Sequence, residues 1–153
     1  MKLASSNRNR TITVLLNGTN SALQSIVPIP YQMSKPSLLG NSLHLEFGVL
    51  IGITGDIKGR LILAGDPAVF RAIGQSMFGM PLEDEMLASF SGELGNMLAG
   101  GIATNIVEHD VTTDITAPTI MRGSTTLSGY EKSIRLTAMF EGIGDLEIYL
   151  LVD

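Results

Sequence analysis

The chain contains no cysteine among its 153 residues. A disulfide framework, a thiolate metal site and a cysteine nucleophile are therefore excluded together. Basic residues are few: 10 Lys and Arg stand against 15 Asp and Glu, a net charge of −5. They are scattered singly, with Arg8 and Arg10 the nearest pair. Nucleic-acid binding through counterion release needs a basic stripe, so that class is set aside. Long apolar runs are missing too. The longest, residues 47–53, is seven residues broken by glycine, far below the roughly 20 that cross a bilayer. The run 12–16 is short and interrupted by Thr13, unlike a secretion signal. These absences leave a soluble, mildly acidic protein expected in the cytoplasm, with no nucleic acid and no membrane among its partners.

Hydrophobic residues make up 44% of the chain and charged residues 16%, a balance that argues against disorder. A chain this long can bury about two-thirds of its unfolded surface as one compact domain, with no staple required. Residues 1–9 are polar and read as a disordered tail, which leaves 10–153 as a single domain. Ile12, Leu15, Leu16, Leu23 and Ile26 fall at helical spacing over 10–27, and Pro28 ends the run. Residues 31–38 read as extended and bent by Pro36. Two β-rich runs, 44–54 and 57–64, flank a tight-turn signal at Gly55-Asp56. Asp66 then caps a helix that Pro67 opens and Gly79-Met80-Pro81 breaks. A long helix is expected over 83–108, with Glu83, Asp84 and Glu85 placed to complement its dipole. Residues 113–121, 133–140 and 146–152 are strand-like, with a turn at Gly144-Asp145. This α-β-β-β-α-α-β-β-β order predicts an α+β fold, a central sheet with its helices on one face.

The order repeats, and some residues repeat with it. At an offset of 82, Leu16, Gly18 and Pro36 align with Leu98, Gly100 and Pro118. At an offset of 89, Gly55-Asp56-Ile57 aligns with Gly144-Asp145-Leu146. We therefore expect a pseudo-twofold duplication of a helix-plus-three-strand unit, its two long helices side by side.

On a wheel of about 100° per residue, Met86, Leu87, Phe90, Leu94, Met97, Leu98 and Ile102 of the long helix share one arc, expected to face the core. Ser89, Glu93, Asn96 and Gly100 form a polar stripe, flanked by the small residues Gly92, Ala99 and Ala103. Glycine costs about 1 kcal/mol against alanine inside a helix. Gly92, Gly95, Gly100 and Gly101 therefore imply something packed close to this backbone. On spacing alone, a solvated polar face accounts for Glu93 and Asn96.

Ser89-x3-Glu93-x2-Asn96, followed by Pro118 in DITAPTIMRG, resembles the signature of the CheC/CheX/FliY phosphatases of bacterial chemotaxis. The stretch SFSGELGNMLAGGIATNIVE continues the likeness. It extends over 10–153, is strongest over 80–125, and favours the CheX branch. The resemblance implies hydrolysis of the aspartyl phosphate of a CheY-type response regulator. It assigns Asn96 to orienting the attacking water and Glu93 to the regulator's active-site lysine, with Ser89, Gly92 and Gly100 touching the partner. An amide suits the first task because it donates and accepts without titrating. The logic parallels the water-orienting glutamine of GTPases. Mg²⁺ is supplied by the receiver domain, and the chain is expected to hold no metal or cofactor of its own. A homodimer is implied as well, since the CheX branch pairs its sheets and 146–152 is apolar enough to add across an edge.

CheC-type relatives carry two such sites. At the offset of 82, Thr11 stands where Glu93 stands and Val14 where Asn96 stands, and neither can do the same chemistry. One site per chain is expected. The alternative is a non-catalytic module of the same fold that sequesters a response regulator or a flagellar switch component. Glu93 and Asn96 favour the enzyme, since an adaptor has no need of the pair. Other candidates read as structural. His44 and His109 are expected at a strand edge and a helix end, Gly52, Gly55 and Gly59 in hairpin turns, and Asp114 facing solvent.

Overall fold

The computed structural model describes residues 5–153, with side chains from Asn9 onward. In chain order the elements begin with α1 (Ser5–Ile26), β1 (Tyr31–Met33), β2 (Ser37–Leu39), β3 (Ser42–Gly55), β4 (Gly59–Ala64) and α2 (Pro67–Phe78). Then follow α3 (Asp84–Ile106), a 3-10 turn (Val107–His109), β5 (Thr113–Ile115), β6 (Thr119–Ser128), β7 (Lys132–Phe140) and β8 (Gly144–Val152). Helix α1 starts at Ser5, so 5–9 are helical and not part of a tail; residues 1–4 lie outside the described ones. Its first turns carry no apolar periodicity, which is why their sequence looks like a tail. Helix α2 matches its sequence signals closely. Ala68 N–H donates to Asp66 Oδ1 at 2.9 Å, Pro67 is first inside, and Gly79 ends the helix at φ 72°.

Each of the two strands expected to contain or adjoin a proline is divided in two. The connection 34–36 separates β1 from β2, and 116–118 separates β5 from β6. Proline has no N–H for a ladder, so pairing lapses at Pro36 and Pro118. The sheet is antiparallel throughout, ordered β1-β7-β8-β4-β3-β5, with β2 also on β7 and β6 also on β3.

This order reads the same from either end once β1, β2, β3 and β4 are exchanged for β5, β6, β7 and β8. The halves swap their short strands: β1 and β2 pair with β7, while β5 and β6 pair with β3. In the central β4–β8 ladder, Leu61 pairs with Leu150, its own counterpart at the offset of 89. The pseudo-twofold axis passes through that pair. Strand β8 therefore has β7 on one side and β4 on the other, and cannot add to a second copy across an edge. Its apolar composition reflects burial on both faces of the sheet. Ile148 and Leu150 join the main core, while Tyr149 and Leu151 join a smaller cluster with Leu43, Leu45, Ile62 and Met121.

All three helices cover the other, main-core face. Leu15 and Leu23 of α1, Phe70 and Ile73 of α2, and Leu94 and Leu98 of α3 are essentially inaccessible. Each such side chain contributes about 1.5–3 kcal/mol of burial. Helices α1 and α3 lie side by side, close enough that a Cβ on Gly101 would stand 3.0 Å from Ala22 Cβ. A Cβ on Gly18 would meet Ile106 at 2.8 Å.

Candidate active site

Helix α3 carries the polar stripe, and its position is fixed from three sides. Leu87, Phe90, Leu94, Leu98, Ile102 and Ile106 bury one face in the core. Gly95 lets the helix settle onto β3, where a Cβ would be 2.9 Å from Val49 Cγ1. Gly101 admits α1, and Gly92 admits the β5–β6 connection, with Pro118 Cγ at 3.4 Å from its would-be Cβ. The N-terminus is held by Asp84 and Glu85 in the first turn and by an ion pair between Arg71 of α2 and Asp84. Gly95 and Gly101 thus have the close neighbour their presence implied, and Gly92 has Pro118 and Ile120 at ordinary contact distance from its would-be Cβ. Gly100 has none: nothing lies within 4 Å of the position a Cβ would take.

Ser89, Glu93 and Asn96 are exposed on the face left over. Residues three and four apart on a helix have Cβ atoms about 5–6 Å apart, so the carboxylate and the amide face the same volume of solvent. Neither makes a hydrogen bond or ion pair with another described residue. Directly beyond Asn96, the α1–α3 seam opens into a groove of about 350 Å³ bordered by Ser21, Ser25, Gly100 and Thr104.

Two expectations about this helix are corrected. Met86 and Met97 are 42% and 36% exposed rather than in the core. On the wheel they sit at the edge of the apolar arc next to Glu93, and the sheet reaches only the arc's centre. They flank the stripe as exposed, flexible apolar side chains. Gly92, expected to touch a partner, is instead buried, with Pro118 and Ile120 over it. The exposed methionines were missed, and the signal for them was their place at the boundary of the arc.

The remaining candidates stay apart from this face. His44, on β3, meets Thr126 Oγ1 at 3.3 Å and Glu46 Oε1 at 3.1 Å. His109 is exposed in the 3-10 turn, and Asp114 is exposed on β5. Gly55 and Gly59 bound the β3–β4 hairpin, whereas Gly52 lies inside β3 beside Thr116. Among the described residues no group of three or more His, Asp or Glu could hold a metal ion. Nor, among the described residues, is any helix long and apolar enough to cross a membrane.

Comparison with known proteins bears on this geometry. The family described as chemotaxis phosphatase CheX matches residues 47–140. The CheY-P phosphatase CheX of Thermotoga maritima is 31% identical over 121 residues, which cover 74% of this chain and 76% of that protein. The crystal structure of a chemotaxis protein CheX from Desulfovibrio desulfuricans superposes with a TM-score of 0.78 at 18% identity, over 94% of this chain and 99% of that one. A CheX-CheY-BeF3-Mg²⁺ complex from Borrelia burgdorferi matches with a TM-score of 0.77 at 21% identity, over 93% of this chain and 97% of the matched chain.

Proposed function

The chain belongs to the CheX family of chemotaxis phosphatases, enzymes that hydrolyse phospho-aspartate, and we propose that its substrate is the phosphorylated receiver domain of a CheY-type response regulator. The observation that carries this reading is the exposed Glu93 and Asn96, unpaired among the described residues and about one turn apart on one face of α3. The Thermotoga relative bears the name of a CheY-P phosphatase, and the Borrelia relative was crystallised with CheY, BeF3 and Mg²⁺.

In the proposed mechanism, Asn96 enters the receiver's active site and holds a water in line with phosphorus. Its amide can donate to one neighbour and accept from the water at once. Glu93 reaches the receiver's active-site lysine through a charge-assisted hydrogen bond, which fixes the docking register. Ser89 and Gly100 extend the contact along the stripe, and Met86 and Met97 supply apolar area beside it. Mg²⁺ would be held by the receiver, as in the crystallised CheX-CheY-BeF3-Mg²⁺ complex, and would offset negative charge at the phosphoryl group. The protein acts in the cytoplasm, where such receivers operate. Gly92 serves by admitting Pro118 rather than by touching the partner.

We also propose a homodimer. Strand β8 is central, so pairing is assigned to the outer strands, of which β6 is the longest with ten residues and one free edge. Light scattering at micromolar concentration is expected to report about twice the monomer mass, and a particle of 16.3 kDa would refute pairing.

The direct test of function is phosphate release from a panel of phosphorylated receiver domains with Mg²⁺ present. Accelerated release from at least one is expected. Binding without acceleration across the panel would instead support a sequestering module.

A further inference from the structure

We infer that Thr116 is a positioning residue of this site: its hydroxyl latches the β5–β6 connection to Gly52 and so seats Pro118 against Gly92, on the turn of α3 that carries Glu93 and Asn96. The catalytic consequence rests on the phosphatase reading; the latch itself rests on geometry. Gly52 N–H donates to Thr116 Oγ1 at 2.8 Å, and Thr116 N–H donates to the Gly52 carbonyl at 3.0 Å. Two bonds between the same two residues close a ring, which fixes residue 116 in position and in twist. A Cβ at residue 52 would stand 3.0 Å from both Oγ1 and Cγ2 of Thr116. The threonine therefore lies flat on a backbone that only glycine leaves bare.

Two residues further on, Pro118 Cγ and Ile120 Cδ1 each lie 3.4 Å from the position a Gly92 Cβ would take. Proline locks its own φ and restricts the residue before it, here Ala117. Little slack remains between the latch and the seat. Gly92 adjoins Glu93 and lies one turn before Asn96, so a displacement of Pro118 is felt on the turn of α3 that presents both.

The other half of the fold contains the same latch without the same consequence. Ser34 precedes Pro36 by two residues, as Thr116 precedes Pro118. Thr137 N–H donates to Ser34 Oγ at 2.9 Å, and Ser34 N–H donates to the Thr137 carbonyl at 2.9 Å. Here, however, Arg10 and Thr13 occupy the places of Gly92 and Gly95 at the offset of 82. A cavity of about 260 Å³, lined by Ile12, Leu16, Pro36 and Leu38 among others, lies beside α1 where the proline seat would be. The latch belongs to both halves. Among the described residues, only in the half with Glu93 and Asn96 does the proline after the latch face a helix glycine.

The test compares Thr116→Val, Thr116→Ser and Ser34→Ala in the full chain, with Gly52→Ala as a second way to pry the latch should the valine variant fold poorly. Amide chemical shifts of residues 89–96 are expected to move in Thr116→Val and to hold still in Ser34→Ala, although each loses a comparable bond. With a receiver that the wild type dephosphorylates, kcat in Thr116→Val falls about tenfold, part of the roughly 10²-fold that a 1 Å misplacement costs. KM changes by less than about threefold. Thr116→Ser keeps the hydroxyl, as Ser34 does, and returns kcat to within about twofold of wild type. Unmoved α3 amides in both Thr116→Val and Gly52→Ala overturn the latch whatever the activity. Moved amides with unchanged kcat overturn its catalytic role, as does an equal loss of kcat in Ser34→Ala. If the wild type acts on no receiver at all, the phosphatase reading falls, and the amide shifts still decide the latch.

Discussion

Glu93 and Asn96 share one helix face, yet their removal is expected to have different consequences. Asn96→Ala leaves the fold intact, since the side chain is exposed and unbonded among the described residues. Loss of a preorganised polar group at the reacting centre slows the chemical step by about 10²-fold or more. Complex formation weakens much less, because a single water-orienting amide contributes little in the ground state. Glu93→Ala loses docking strength as well, as its lysine partner is left without a charge-assisted contact. Thr11→Ala and Val14→Ala, at the counterpart positions, keep full specific activity; Val14 is buried, so its variant loses stability only. Single-turnover phosphate release and binding titrations on the four variants separate these outcomes. Full activity in Asn96→Ala on every receiver would transfer the protein to the binding modules. At this scale the exposure of Glu93 and Asn96 was legible from helical spacing, whereas their proposed roles rest on the resemblance to the phosphatase signature, since spacing alone gives only a solvated polar face. The burial of Gly92 beneath Pro118 was not legible, since it depends on a loop 26 positions away.

Helix α3 as an element makes a sharper demand on its glycines. Their number in the sequence signals close neighbours, and the neighbours prove to be three different ones: a proline, a strand and a helix. Sequence cannot assign them, because each contact depends on how distant segments converge. Gly95→Ala forces a methyl to within 2.9 Å of Val49 Cγ1 and 3.1 Å of Ile51 Cδ1. Overpacking of this kind costs about 1–3 kcal/mol, and urea denaturation is expected to show a lowered midpoint. Gly100→Ala meets nothing within 4 Å and gains helix propensity of about 0.8–1.0 kcal/mol. The same methyl projects along the stripe beyond Asn96. Gly100→Ala is therefore expected to raise the denaturation midpoint while weakening receiver binding. A stabilised variant with undiminished binding would remove Gly100 from the partner surface.

Over the whole molecule, the duplication was readable from offsets of 82 and 89, and the swap of short strands between halves was not. An offset records which segments are alike, while pairing is decided by where the chain turns at Pro36 and Pro118. The swap makes each half depend on the other: β1 is closed onto β7, and the Tyr31 ring packs at a tilt against Phe140, 5.3 Å between ring centres. The Tyr31 hydroxyl also donates to Asn20 of α1, at 2.9 Å to Oδ1, so one side chain ties helix, edge strand and opposite half together. Burial raises the pKa of Tyr31 above the ordinary 10.0. Tyr149, in the smaller cluster, is raised by burial first and by the neighbouring Glu147 second, against the opposing Arg135. A phenol whose folded pKa lies above its unfolded value retains its proton more firmly in the native state. Its contribution is complete below about pH 10 and is lost as pH rises through the folded pKa, because the unfolded chain then binds fewer protons. Stability is thus expected to decline above pH 10 with Tyr31 and Tyr149 as two of the causes, and Tyr31→Phe, which cannot ionise, to decline less steeply. Urea midpoints measured from pH 8 to 11.5 test this. Parallel slopes for wild type and Tyr31→Phe would show that the hydroxyl at this junction carries no part of the alkaline loss.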